Sequence, residues 1–318
     1  MTAIRKAFRD PRARIERLLI KYDAHVRRAF RRYLREAADS VQLGQLATML
    51  EAGRLDEALQ LLSRAVRTLA SGVTGVYAGS ADATARFLRE HGLTVDYDPS
   101  QPPATAWVRN ERVRIIANLS QDQRTAVQRV VSDGIARGIN PRAMAREIKQ
   151  HIGLTPLQTS HVLSYRRLLQ NGSIDALDRE LRSRTFDRTV ASMFNRGGAL
   201  TGEQIERMVA AYANNYLTYR AEVIARTESL RAVHAGIAEM YRQSVVSGDL
   251  EPEQIVRVWN AASDSRVRSS HREMDGQERG FEEPFLSGDG NPLMYPGDVD
   301  APIEDTVQCR CVVSTVIA

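Results

Sequence analysis

Apolar residues near the start of the chain recur at Ile4, Phe8, Ile15, Leu18, Leu19, Tyr22, Val26, Phe30 and Leu34. These spacings of three, four and seven mark one face of a helix over 4–38. Pro11 suits a first helical turn better than an interior, which predicts a start near Asp10. Residues 54–70 predict a second helix and 80–91 a third, opened by Ser80 and closed by Gly92. Three prolines in the polar run DYDPSQPPATAW (96–107) predict a linker or extended loop. Helices are then expected over 107–118 and 120–137, the latter with Ser120 and Gln123 as a capping box and Gly138 as its stop. Asn140 and Pro141 open a short helix to residue 151, and Thr155-Pro156 opens another to Leu169. More helix is expected over 174–195 and a long one over about 201–246, with Asn214-Asn215 marking where it could break. Ile224, Leu230, Val233, Ile237, Met240 and Tyr241 form its apolar stripe.

After Gly248 the pattern changes. QIVRVWNAA (254–262) has strand character, and Asp275-Gly276 is a turn dipeptide. Residues 284–302 are rich in Gly, Pro and Asp and predict an irregular loop, and QCRCVVSTVI (308–317) predicts a terminal strand. The expected fold is mainly α: an elongated helical body with a small C-terminal α+β module. Its expected divisions are a basic helical N-terminal region (1–95), a Pro-rich linker (96–106), the helical body (107–249) and the module (250–318).

Composition narrows the class. The 318 residues are 43% hydrophobic and 26% charged, which is a folding composition. Two cysteines exclude a disulfide scaffold. No apolar run approaches the roughly 18–20 residues of a membrane span, and MTAIRKAFRD lacks the apolar core of a signal peptide. Residues 1–36 hold twelve Arg or Lys against four acids, a surplus larger than the +5 of the whole chain, so the remainder is net acidic. That basic arm is expected to meet DNA phosphates or an acidic partner through Arg5, Arg9, Arg12, Arg27, Arg28, Arg31, Arg32 and Arg35. The alternative, a solvated face on an ordinarily packed helix, stays open.

Catalytic motifs are absent from the sequence: no HExxH, no Walker loop, no GxGxxG between strand and helix. Asp289, Asn291 and Asp298 suggest a calcium loop, but its sixth position is Met294 rather than Gly. His271, Cys309 and Cys311 are the candidate zinc ligands. If 308–317 is one strand, the two cysteines lie about 6.6–6.8 Å apart at Cα and share a face with Val313, Thr315 and Ile317. That is a core face and an awkward place for two thiolates on one metal. The group is therefore expected to be architectural, with no cofactor. His271 would pin the long loop through backbone carbonyls or Asp298, and the cysteines would pack. Glu228 is expected to find a cation in Arg266, Arg268 or Arg310. Trp259 is expected to be buried between the helix around 222–241 and the module.

The C-terminal half presents these pieces in a distinctive order: IARTESLRAVHAG (224–236), Trp259, DSRVRSSH (264–271), MDGQ (274–277), Phe285, YPGD (295–298) and CRC (309–311). Upstream lie INPRAMAREIKQHIGLTPLQTSHVLSYRRLLQNG (139–172) and TGEQIERM (201–208). In this order the chain resembles the Mu F-like head-morphogenesis family, the minor head proteins of tailed bacteriophages, over roughly residues 120–318. Residues 1–100 carry no such likeness. The resemblance implies a structural protein of the capsid interior, associated with the portal protein and acting in head morphogenesis and in DNA packaging or ejection. It further implies capsid or scaffolding proteins and phage DNA as partners, a place in the virion after assembly in the host cytoplasm, and no enzymatic activity. On the matching motifs, Arg226, Glu228, Trp259 and His271 are structural positions. The sequence runs only a few residues past CRC, so no fused effector is expected there. An alternative of another class is a metal-dependent enzyme acting on nucleic acid or a host target, centred on His271 with Asp264, Asp275 or Glu228.

Overall fold

The computed structural model describes residues 10–317. The elements in chain order are helices α1 (Pro11–Asp39), α2 (Leu43–Glu51), α3 (Leu55–Arg64), α4 (Val66–Glu90), α5 (Pro102–Ala136), α6 (Pro141–His151), α7 (Pro156–Gln170), α8 (Asp187–Arg196) and α9 (Gly202–Val246). Then come strand β1 (Ile255–Asn260), helix α10 (Ser269–Arg272), strands β2 (Glu278–Arg279), β3 (Phe285–Leu286) and β4 (Pro292–Leu293), helix α11 (Ile303–Thr306) and strand β5 (Val312–Ile317). The protein is mainly α with a small antiparallel sheet near the C-terminus, as its sequence pattern predicts.

The chain forms two compact units, each assembled from separate stretches. One comprises the residues up to 30, then 69–113 and everything from 223 onward; the other comprises 31–68 and 114–222. The helices α1, α4, α5 and α9 each contribute to both.

In the first unit, α1 starts where Pro11 places it: the Asp10 carboxylate accepts from the Ala13 N–H and caps the helix. Ile15, Tyr22, Val26 and Phe30 form its buried stripe. Helices α4 and α9 meet at a small-residue contact. A Cβ on Gly236 would lie 2.2 Å from the Tyr77 carbonyl oxygen and 2.4 Å from Ser80 Oγ, so only glycine fits. The α+β elements lie in the same unit. β1 pairs antiparallel with β5 on one side and β2 on the other, with Trp259 opposite Val313, and β3 pairs with β4. Ile255, Arg257 and Trp259 point inward at the period of two that a half-buried strand requires.

The second unit rests on Leu154, Val162, Tyr165, Leu169, Val190, Met193, Met208, Val209 and Tyr212 from α7, α8, α9 and their flanks. Asn140 caps α6 through the Ala143 N–H, and Thr155 with Gln158 forms a full capping box on α7. The box expected at Ser120 and Gln123 is not formed. Both residues lie inside α5, which runs unbroken from Pro102 because nothing between 107 and 136 breaks a helix. Gln123 instead accepts from the Gly153 N–H at 2.9 Å. Pro102 and Pro103 occupy the first turn of α5, where a missing N–H costs nothing, so the Pro-rich linker ends before them. Helix α2 had no counterpart in the pattern, and 174–186 forms short 3-10 turns rather than α-helix. α9 runs through Asn214-Asn215 without a break.

Candidate metal centre

The 309–311 stretch lies between α11 and β5. Gln308 adopts φ 55°, a left-handed conformation that a non-glycine residue takes only when held there. Its N–H donates to Thr227 Oγ1 of α9 at 3.1 Å. β5 begins only at Val312, so Cys309 and Cys311 precede the strand and the strand spacing does not govern them. The geometric objection to their convergence therefore falls.

His271, on α10, meets both. Its Nδ1 lies 3.4 Å from Cys309 Sγ and 3.6 Å from Cys311 Sγ. All three atoms lie within 4.8 Å of one another, and this is the only such group of His, Cys, Asp or Glu among the described residues. His271 is 1% exposed and each cysteine 2%. Both thiols are free. On the far side of the ring, Nε2 lies 3.1 Å from Asp305 Oδ1, and Asp305 Oδ2 accepts from Asn291 Nδ2 at 2.9 Å. An ionised carboxylate only accepts, so Nε2 carries the proton and Nδ1 turns its lone pair to the sulfurs. The hydrogen bond between the two thiols raises Cys309, with burial adding to it, and lowers Cys311.

The surroundings are dry. Trp259, fully buried, stands edge-on to the His271 ring with centroids 5.6 Å apart, and Leu230, Met274, Phe285 and Leu293 complete the cluster. Leu230 belongs to α9, so that helix contributes to the apolar cluster that holds Trp259.

Several expected partners are different ones. Asp298 does not hold His271; it accepts from the Met294 and Asp300 N–H groups and shapes its own loop. Those bonds and the Asn291–Asp305 bond also occupy two residues of the calcium-like pattern, and Asp289 is exposed. Glu228 pairs with Arg231, one turn along α9, at 3.4 Å. Of the cations expected for it, Arg268 donates to the Val307 carbonyl, while Arg266 and Arg310 both pair with Asp264. Those two arginines hold the Asp264 carboxyl well below the usual range, Arg310 chiefly. Arg226 is exposed and lines a surface cleft of about 460 Å³ together with Leu230, Arg266, Cys309 and Arg310.

Three residues that sequence reasoning passed over organise the loop. Arg257 donates to the carbonyls of Gly280, Glu283 and Met294, and burial lowers its pKa to about 10. Arg231 donates from Nε to the Gly297 carbonyl at 3.0 Å. Gly297 has φ 83° and sits against the Arg231 backbone. Asp305 orients His271. Arg257 on an inward strand row and Arg231 on an apolar helix face were visible signals, because a cation at such a position needs acceptors. Asp305 carried none.

Of the basic arm, Arg5 and Arg9 lie outside the described residues. Arg12 pairs with Glu16, Arg27 with Asp23, and Arg14 packs on Phe87 while donating to Thr84. Arg28, Arg31, Arg32 and Arg35 are exposed on α1.

The model of a family described as Phage Mu protein F like protein matches residues 125–314. The minor head protein GP7 of Bacillus phage SPP1 is 32% identical over 98 residues. That alignment spans 31% of this chain and 30% of the relative. No solved structure matches the chain.

Proposed function

The chain belongs to the Phage Mu protein F like family, and from that premise we propose that it is a structural component of a phage head, a minor head protein acting in head morphogenesis. The observation that carries the proposal is the family match over 125–314, which takes in α9, β1 to β4, the start of β5 and the His271–Cys309–Cys311 cluster. The likeness to a minor head protein supports it further.

The finer proposal is association with the portal protein in the capsid interior, with the exposed arginines of α1 meeting DNA phosphates during packaging or ejection. Of the arginines expected in the arm, Arg28, Arg31, Arg32 and Arg35 are exposed, whereas Arg12 and Arg27 are paired within the chain. An enzyme centred on His271 is less well supported. Its candidate acids already serve the fold: Asp275 accepts from the Ala261 N–H, Asp264 holds two arginines, and Glu228 pairs with Arg231. His271 itself is 1% exposed and its ring nitrogens already face Asp305 and the two thiols.

Co-expression with the portal protein of its own phage tests the proposal. The chain is expected to co-purify with portal rings at moderate salt and to show no turnover of DNA or nucleotide substrates. Migration of the chain wholly apart from the rings, or substrate turnover lost in His271→Ala, would overturn it.

A further inference from the structure

We propose that His271 Nδ1, Cys309 Sγ and Cys311 Sγ bind one zinc ion that ties α10 to the 309–311 stretch. The argument starts from size. Zinc takes imidazole nitrogen at about 2.0–2.1 Å and thiolate sulfur at about 2.3 Å in a tetrahedral arrangement, which sets nitrogen and sulfur about 3.6 Å apart. The observed separations are 3.4 and 3.6 Å. Two edges of a zinc tetrahedron are thus already at length, and the two sulfurs lie within 4.8 Å of each other.

The donor set selects the metal. Two thiolates and an imidazole are soft and intermediate ligands, suited to zinc and unsuited to magnesium or calcium. Both thiols are free, so the pair is available to a metal. The ring is also oriented as a ligand. A zinc-bound histidine commonly gives its other N–H to a carboxylate, and Asp305 stands there, itself fixed by Asn291. Asp305 lies on the far side of the ring from the sulfurs and is not a ligand.

Access is available as well. Cys309 forms part of the wall of the 460 Å³ cleft, which gives an ion a route inward and leaves a non-protein ligand, such as water, to fill the fourth position. The consequence is architectural. α10 and the 309–311 stretch flank a long, irregular segment with little regular structure of its own. An ion shared between its two ends closes that segment at fixed length, so binding energy becomes folding energy.

The test uses the full chain, purified in reducing buffer without chelators, and its metal content measured by mass spectrometry. About one zinc per chain is expected. Replacement by Co(II) should give the visible bands of a tetrahedral site and a thiolate charge-transfer band. Cys309→Ser and Cys311→Ser should lose the metal. Because either variant could fail to fold, Asp305→Asn provides an independent reading: it should keep its fold yet bind zinc about 10–100-fold more weakly in a chelator competition. Metal-free protein whose Co(II) titration shows no tetrahedral bands would overturn the proposal, and so would a Cys309–Cys311 disulfide in freshly isolated protein. So would unchanged zinc affinity in Asp305→Asn. These readouts do not depend on a role in the phage head.

Discussion

His151 and His234 are both enclosed by protein, and burial lowers their pKa from 6.5 to about 4 and about 3. Each is neutral in the fold and gains a proton once the chain unfolds below pH 6.5. The unfolded state then binds more protons, so the stabilising contribution is complete above about pH 6.5 and is lost as pH falls toward the folded values. At pH 5 the loss is about 2 kcal/mol per histidine. The melting temperature should therefore fall between pH 7.5 and pH 5, and His234→Gln should flatten that dependence; an unchanged slope would contradict the assignment. Trp259 is the largest fully buried side chain, stands edge-on to the His271 ring and shares an apolar cluster with Leu230 of α9. Trp259→Ala should cost about 3–5 kcal/mol and expose the 250–317 region to protease before the rest of the chain. Equal protease resistance in the variant would argue against the packing described. At this scale the sequence named His271, Cys309 and Cys311 together but set them apart on a strand. Their convergence depends on the left-handed turn at Gln308 and its bond to Thr227, which no local pattern encodes.

Among the elements, helix starts were legible wherever a capping side chain stood beside proline. Asp10-Pro11, Asn140-Pro141 and Thr155-Pro156 each open a helix as expected. Ser120 misled because a serine with Gln three residues on also occurs inside helices, and only a preceding break would make it a cap. Residues 174–186 misled because their apolar spacing is filled by two short 3-10 turns. The α4–α9 contact offers a direct test of packing. Gly236→Ala would place a methyl group against the Tyr77 carbonyl and is expected to destabilise by about 1–3 kcal/mol. A melting temperature equal to that of the parent chain would show that the two helices can part at no cost. On α1, replacing Arg28, Arg31, Arg32 and Arg35 by Gln removes four exposed cations and none of the Arg12, Arg14 or Arg27 contacts. If the arm binds DNA, the slope of log affinity against log salt should fall by about three to four while the helical circular dichroism stays constant. An unchanged slope would assign those arginines to solvent or to a protein partner.

For the whole molecule, the mainly α class and the small sheet near the end followed from periodicity, because patterns of 3.6 and 2 are local properties. The division into units did not. α1, α4, α5 and α9 carry the chain from one unit to the other, so residues adjacent in sequence part company and distant ones share a core. The ordered series of motifs from IARTES to CRC has a spatial counterpart. Thr227 of α9 holds Gln308, Arg231 holds Gly297 of YPGD, and Leu230 belongs to the apolar cluster around Trp259. α9 is thus the spine on which those motifs assemble, and this explains why their order carries family information while each alone is short.

A structural role in the head is tested most directly by composition. Heads assembled from the phage's own capsid and scaffolding proteins, with and without portal, are separated on a density gradient and their proteins quantified by mass spectrometry. The chain is expected to travel with the heads at a few copies each, and to be lost from heads that lack portal. Its absence from portal-containing heads, with all of it left at the top of the gradient, would contradict that role.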